Sequence, residues 1–151
     1  MNGLTNKELE TYGKKFLGKS FLGVYPCDSH PRDLNKLKNK SFSFIFNLSP
    51  HYEDGSHFVA ILKRHKTYYY FDSYGKVCKN KDIVNFLKSH TKYLICNKKI
   101  IQDKTSIFCG LYCLAFLITC QKNKKSLNFF VSKFSKPLKS NDKICLSIIL
   151  N

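Results

Sequence analysis

Residues 105–120 read TSIFCGLYCLAFLITC and carry no charged side chain. A helix over 109–121 is apolar nearly all round, yet it is shorter than the ~20 residues that span a bilayer. Such a helix has to be covered by other parts of its own domain. The chain has 151 residues, which fits one domain over 1–151. At this size folding buries roughly 70% of the surface of the unfolded chain, enough to enclose one such helix.

The rest of the sequence supplies covering layers. Thr5 and Glu8 form a capping box ahead of an apolar stripe of Leu9, Tyr12 and Phe16, which predicts a helix over 6–16. "FLGVYPCDSHP" reads as a loop punctuated by glycine and proline. Residues 41–48, "SFSFIFNL", read as a strand, and 56–75 as two strands around a basic turn. Residues 82–90 read as a helix capped by Asp82, and "KYLICN" and "KKIIQ" as strand pieces. Residues 126–135 are amphipathic up to Pro137. Strands beside helices without strict alternation predict an α+β class. No repeat, low-complexity tract or linker divides the chain.

Seven cysteines in a chain that starts without an apolar signal core predict mostly free thiols in a reducing compartment, not secretion. No Cys-x-x-Cys pair occurs and no histidine stands at ligand spacing from Cys109, Cys113 or Cys120, so no metal is expected. The net charge of +16 favours a polyanion such as DNA. All but two of the 26 basic residues are lysine, a bias that an AT-rich coding sequence also produces.

Within the hairpin, a turn centred between Arg64 and His65 sets residues whose numbers sum to 129 opposite each other. His57 then faces Asp72, Val59 faces Tyr70 and Ile61 faces Tyr68, each pair on one side of the sheet. "RH" is not a preferred two-residue turn, and a one-residue slip would separate the pair. A carboxylate that takes one imidazole proton fixes the tautomer and leaves the other nitrogen to act as a base. Taken alone, His57 reads as an ordinary strand histidine and Asp72 as a turn residue.

Cys109 opens the apolar helix. Helix starts present unpaired N–H groups and partial positive charge, which lowers thiol pKa values. Gly110 would let a substrate backbone approach. Cys113 and Cys120 read as inert core thiols. Taken alone, Cys109 reads as core filling before it reads as a nucleophile. Gln102 precedes Cys109 by seven residues; its amide N–H, with the backbone N–H of Cys109, would suit a developing oxyanion.

The segments "FLGVYPCD", "GSHFVAIL", "YYYFDSYG" and "IIQDKTSIFCGLYCLAFL" together resemble the adenovirus endoprotease (adenain) family within the Ulp-like cysteine proteases. The match covers roughly residues 17–120, with "CGLYC" and its upstream glutamine the most specific part. The resemblance implies a papain-like (adenain/Ulp-type) fold, with the cysteine-bearing helix packed on a central mixed or antiparallel sheet. It implies His57 as general base, Asp72 as its orienting acid, Gln102 as oxyanion donor and Cys109 as nucleophile. The acid departs from the adenovirus branch, which usually has glutamate, and agrees with the Ulp branch. Few residues follow Cys109, and Cys96 stands closer to Gln102 than the family's peptide-linking cysteine does, so no disulfide-linked peptide activator is expected.

The resulting expectation is a viral or virus-like endopeptidase cutting precursor polypeptides after glycine-containing motifs in virion maturation. It would be a monomer with no required cofactor, with DNA as a nonspecific partner and possible activator. No membrane association is expected, and the location would be the virion and the host nucleus or cytoplasm. A glycine-flanked "DGSH" beside the base would suit a narrow cleft. Two other readings stay open: an isopeptidase acting on ubiquitin-like conjugates, and a nonenzymatic nucleic-acid-binding protein.

Overall fold

The structure, a computed structural model, describes residues 3–49 and 57–151. Helix α1 spans Asn6–Leu17. Its capping box is complete: Thr5 Oγ1 accepts the Glu8 N–H and Glu8 Oε1 accepts the Thr5 N–H, each at 3.1 Å. Strands β1 (Phe21–Pro26), β2 (Phe42–Asn47), β3 (Phe58–Arg64) and β4 (Thr67–Phe71) follow. Helix α2 (Lys81–His90) leads into β5 (Tyr93–Cys96). Helix α3 (Cys109–Leu117) runs on into a wider turn, Ile118–Lys122. Helices α4 (Leu127–Ser132) and α5 (Asn141–Leu150) complete the order.

The five strands form one sheet in the order β1-β2-β3-β4-β5. The outer pairs β1–β2 and β4–β5 are parallel and the inner pairs antiparallel, so the class is α+β with a mixed sheet. Alternate side chains go to opposite faces. Ile45, Ala60, Leu62 and Phe71 meet α3, with Leu9 of α1 and Phe130 of α4 in the same cluster. Phe44, Phe46, Val59, Ile61 and Tyr70 meet Ile83, Phe86 and Leu87 of α2. With both faces covered, β2 and β3 read as nearly continuous apolar runs instead of alternating ones.

All nine residues of α3 are buried, as its composition requires. Phe116 stacks on Phe71 of the sheet, ring centres 4.8 Å apart and planes 12° from parallel; truncating such a ring costs about 3–5 kcal/mol. Arg64, at the end of β3, donates to the carbonyls of Cys120 and Lys125 at 2.8 and 3.0 Å. That contact pairs carbonyls at the far end of the α3 segment. Among the described residues no helix is long and apolar enough to cross a membrane.

Several expectations from the sequence need correction. "FLGVYP" is strand β1, because β2 supplies a parallel partner that no local pattern announces. "KKIIQ" lies outside any strand and is held by side chains and by the Ser73 carbonyl. Asn80, not Asp82, caps α2, accepting the Ile83 N–H at 3.2 Å. The hairpin pairs residues that sum to 131, not 129: Ile61 faces Tyr70 and Lys63 faces Tyr68. Its two-residue loop carries His65 at φ 55°, a left-handed conformation the residue name does not advertise.

Candidate active site

His57 stands just before β3 and Asp72 just after β4. The register change moves β4 by two residues relative to β3. Two is the period of side-chain direction, so Asp72 stays on the side of His57 as a diagonal neighbour. His57 Nε2 lies 2.9 Å from Asp72 Oδ1. The two side chains keep only 14% and 6% of their exposure. Against a carboxylate, Nε2 is the protonated nitrogen. The ring packs on Tyr74, centres 4.9 Å apart and planes 26° from parallel.

The Cys109 sulfur lies close enough to the ring to act on its charge. Burial works against the charged imidazole. The hydrogen bond and charge of Asp72, with the influence of the Cys109 sulfur, outweigh it and lift the His57 pKa to about 9. Cys109 is the first residue of α3 and is 8% exposed. It therefore sits where a helix presents N–H groups without intrahelical partners.

Burial pushes Cys113 far up, Cys120 up to about 12, and Cys145 up as well, so all three stay protonated at neutral pH. Gly110 does not open a path for substrate. A side chain there would point at Leu9 and Phe58, inside the core. The "DGSH" expectation falls mostly on residues 54–56, which lie outside the described residues.

Asp72 is held by more than the histidine. Its Oδ1 also accepts the Tyr74 N–H at 2.8 Å, and its carbonyl accepts the Gly75 N–H at 2.8 Å. Asn97, at the end of β5, accepts the Asp72 N–H at 2.9 Å and donates to the Asp72 carbonyl at 2.6 Å. Gly75 completes the turn at φ +65°; a Cβ there would lie 2.6 Å from the Lys98 carbonyl oxygen.

The segment after Asn97 has no regular structure, yet it is fastened along its length. Lys99 Nζ donates to the Phe134 carbonyl at 2.8 Å. The Ser73 carbonyl accepts the N–H groups of Ile101 and Gln102 at 3.0 and 3.2 Å. Asn141 Nδ2, on α5, donates to the Ile101 carbonyl at 2.8 Å. Gln102 is 1% exposed. Its Oε1 accepts the Ser73 hydroxyl at 2.5 Å, and its Nε2 donates to Ser106 O and Oγ at 3.0 and 3.1 Å.

His57, Asp72 and Cys109 are thus brought together, and Gln102 joins the cluster through Ser73, the residue after Asp72. Sequence reasoning missed Asn97, Ser73, Ser106 and Asp142. Each is an ordinary loop or helix-start residue in one dimension, and only contacts across 25–36 positions distinguish them. A cleft of about 730 Å³ opens beside the pair, its wall including His57, Asp72, Tyr74, Lys76 and Lys79. A separate cleft of about 500 Å³ between Phe16, Ile118, Phe129 and Ile149 contains none of these groups.

No protein-family model matches the chain, and no curated protein matches it in sequence. In fold it is similar to the ASFV pS273R protease, known from a crystal structure of the selenomethionine form. The TM-score is 0.64 at 17% identity, over 89% of this chain and 63% of that one. The chain therefore spans less than two thirds of that protease's length. At this identity the likeness is one of fold.

Proposed function

We propose that this chain is a cysteine endopeptidase of the adenain/Ulp type that hydrolyses peptide bonds after glycine in viral precursor polypeptides. One arrangement carries the reading: a buried imidazole with a carboxylate 2.9 Å from Nε2, beside the sulfur of a helix-opening cysteine that acts on its charge. The fold shared with a viral protease agrees with it.

In this mechanism Cys109 attacks the scissile carbonyl as the thiolate, and the S–C bond forms. The Cys109 backbone N–H donates to the resulting oxyanion, joined by Gln102 Nε2 as one of its two hydrogens turns from Ser106 to the developing charge. The C–N bond then breaks as the protonated His57 ring gives its proton to the leaving amine. Neutral His57 next takes a proton from water, whose oxygen displaces sulfur from the thioester. The products are a C-terminal glycine carboxylate and the restored thiolate–imidazolium pair. Asp72 fixes the ring tautomer throughout and stabilises its charge.

The test is incubation with glycine-containing precursor peptides, wild type beside Cys109→Ala, with new termini identified by mass spectrometry. Cleavage of ubiquitin-like conjugates in place of those peptides would move the reading to an isopeptidase, since both reactions need the same four side chains. The charge of +16 favours a further reading of nonspecific DNA binding. A cleft of about 310 Å³ lined by Lys38, Lys66, Lys92, His65 and His90 is one basic surface available for it.

A further inference from the structure

Ser106 Oγ lies 3.0 Å from Asp142 Oδ1, 3.1 Å from Gln102 Nε2 and 3.2 Å from the Phe108 backbone N. The same Asp142 oxygen lies 2.7 Å from the Tyr112 hydroxyl. Proton counting fixes every direction in this chain. An ionised carboxylate only accepts, so Ser106 and Tyr112 both donate to Asp142. The single Ser106 hydroxyl proton is then used, and its oxygen accepts from Phe108 N–H and from Gln102. A group that donates to Ser106 has to be the amide NH₂, so the Gln102 carbonyl oxygen is turned to the Ser73 hydroxyl. The Ser106 carbonyl, which only accepts, holds the amide the same way at 3.0 Å, and the carboxylate on α5 fixes where the Ser106 hydroxyl sits beneath it.

We infer that Ser106 and Asp142 are positioning residues for the oxyanion site: through one serine oxygen they hold the Gln102 amide and the backbone that enters α3 in a single fixed relation. This rests on the proposed protease reading and extends it to residues that touch neither substrate nor sulfur. The geometry is economical in its elements. Phe108 precedes the nucleophile directly, so the oxygen that orients Gln102 also sets the peptide leading to the Cys109 N–H. Asp142 lies in the first turn of α5, where negative charge is favoured. Its neighbour Asn141 pins Ile101, beside Gln102, from the same helix turn. Two donors aimed at a developing charge need this sort of support, because small misplacements forfeit much of their effect.

The inference separates from a purely structural role by choice of probe. A peptide ending in glycine aldehyde adds the Cys109 sulfur to its carbonyl and creates an oxyanion. Iodoacetamide alkylates the same sulfur by displacing iodide and creates none. Ser106→Ala is expected to weaken aldehyde inhibition and lower kcat by about 10-fold or more, with KM little changed. Its rate of iodoacetamide alkylation at Cys109 should stay within about twofold of wild type. Ser106→Thr, which keeps the hydroxyl, should restore most of the loss. Asp142→Asn, which loosens the hold on the Ser106 hydroxyl, should show the same pattern more weakly, and it serves should Ser106→Ala fold poorly by thermal melting. Unchanged aldehyde inhibition in folded variants, or alkylation falling in parallel with it, overturns the inference while leaving the protease intact. A wild-type protein that binds no aldehyde at Cys109 overturns both.

Discussion

Asn97 grips the peptide backbone of Asp72 from both sides, accepting its N–H at 2.9 Å and donating to its carbonyl at 2.6 Å. The carboxylate that meets His57 is therefore aimed by a residue 25 positions away, just after the edge strand. Asn97→Ala leaves the buried Asp72 N–H without this partner, which should cost about 2–3 kcal/mol in urea unfolding. Asn97→Asp sets an acceptor against the Asp72 carbonyl and should restore little of that stability. Peptidase activity should fall in both variants, and a stable, fully active Asn97→Ala would contradict the positioning role.

The His57 pKa of about 9 makes a signed prediction about stability. It lies above the unfolded ring's value of about 6.5. The contribution is therefore full below pH 6.5 and is lost as pH rises through about 9. A difference of this size is worth about 3 kcal/mol. The stability gap between wild type and His57→Gln should be widest near pH 6 and shrink by pH 10 in denaturant titrations. In NMR titrations of the ring, Asp72→Asn and Cys109→Ala should each lower the midpoint. A midpoint unmoved by both would show that neither group partners the imidazole.

The seven cysteines should separate by reactivity. Iodoacetamide near pH 7, followed by peptide mapping, should label Cys109 first, and His57→Ala should slow that labelling. Burial holds Cys113, Cys120 and Cys145 protonated, so they should remain unlabelled until the protein unfolds. Exposed Cys96, whose pKa burial also raises, should label more slowly than Cys109. Equal labelling of Cys109 and Cys113 in the folded protein would argue against an activated sulfur.

What the sequence disclosed depended on the range of the interaction. The α1 capping box is local, and Thr5 and Glu8 form it as their spacing indicates. The apolar α3 run is self-sufficient evidence of a buried helix. The approach of His57 to Asp72 was legible through parity alone: the assumed register was wrong by two residues, a whole period, so the shared face was unaffected. A slip of one would have separated the pair. β1 was hidden because its glycine and proline imitate a loop and its partner lies about 20 residues on. The strand-like "KKIIQ" is instead a segment tied down by Asn97, Lys99 and Asn141. Those ties join residues with no spacing pattern, so Ser106 and Asp142 left no trace in one dimension.

The basic surface makes a prediction independent of the chemistry. Duplex DNA should bind weakly and without sequence preference, with log K falling linearly in log salt at about −0.9 per phosphate neutralised. Replacing Lys38, Lys66 and Lys92 by glutamate should flatten that slope if the cleft they line is the contact. Affinity insensitive to salt would remove DNA as a partner and leave the protease reading standing.

The most direct measurement is of the termini released from glycine-containing precursor polypeptides, read by mass spectrometry for wild type, Cys109→Ala and His57→Ala. The account predicts new C-terminal glycines with wild type alone, together with a thioester to Cys109 trapped by rapid acid quench. The same termini appearing with Cys109→Ala, or no cleavage of any glycine-containing substrate by wild type, would contradict it.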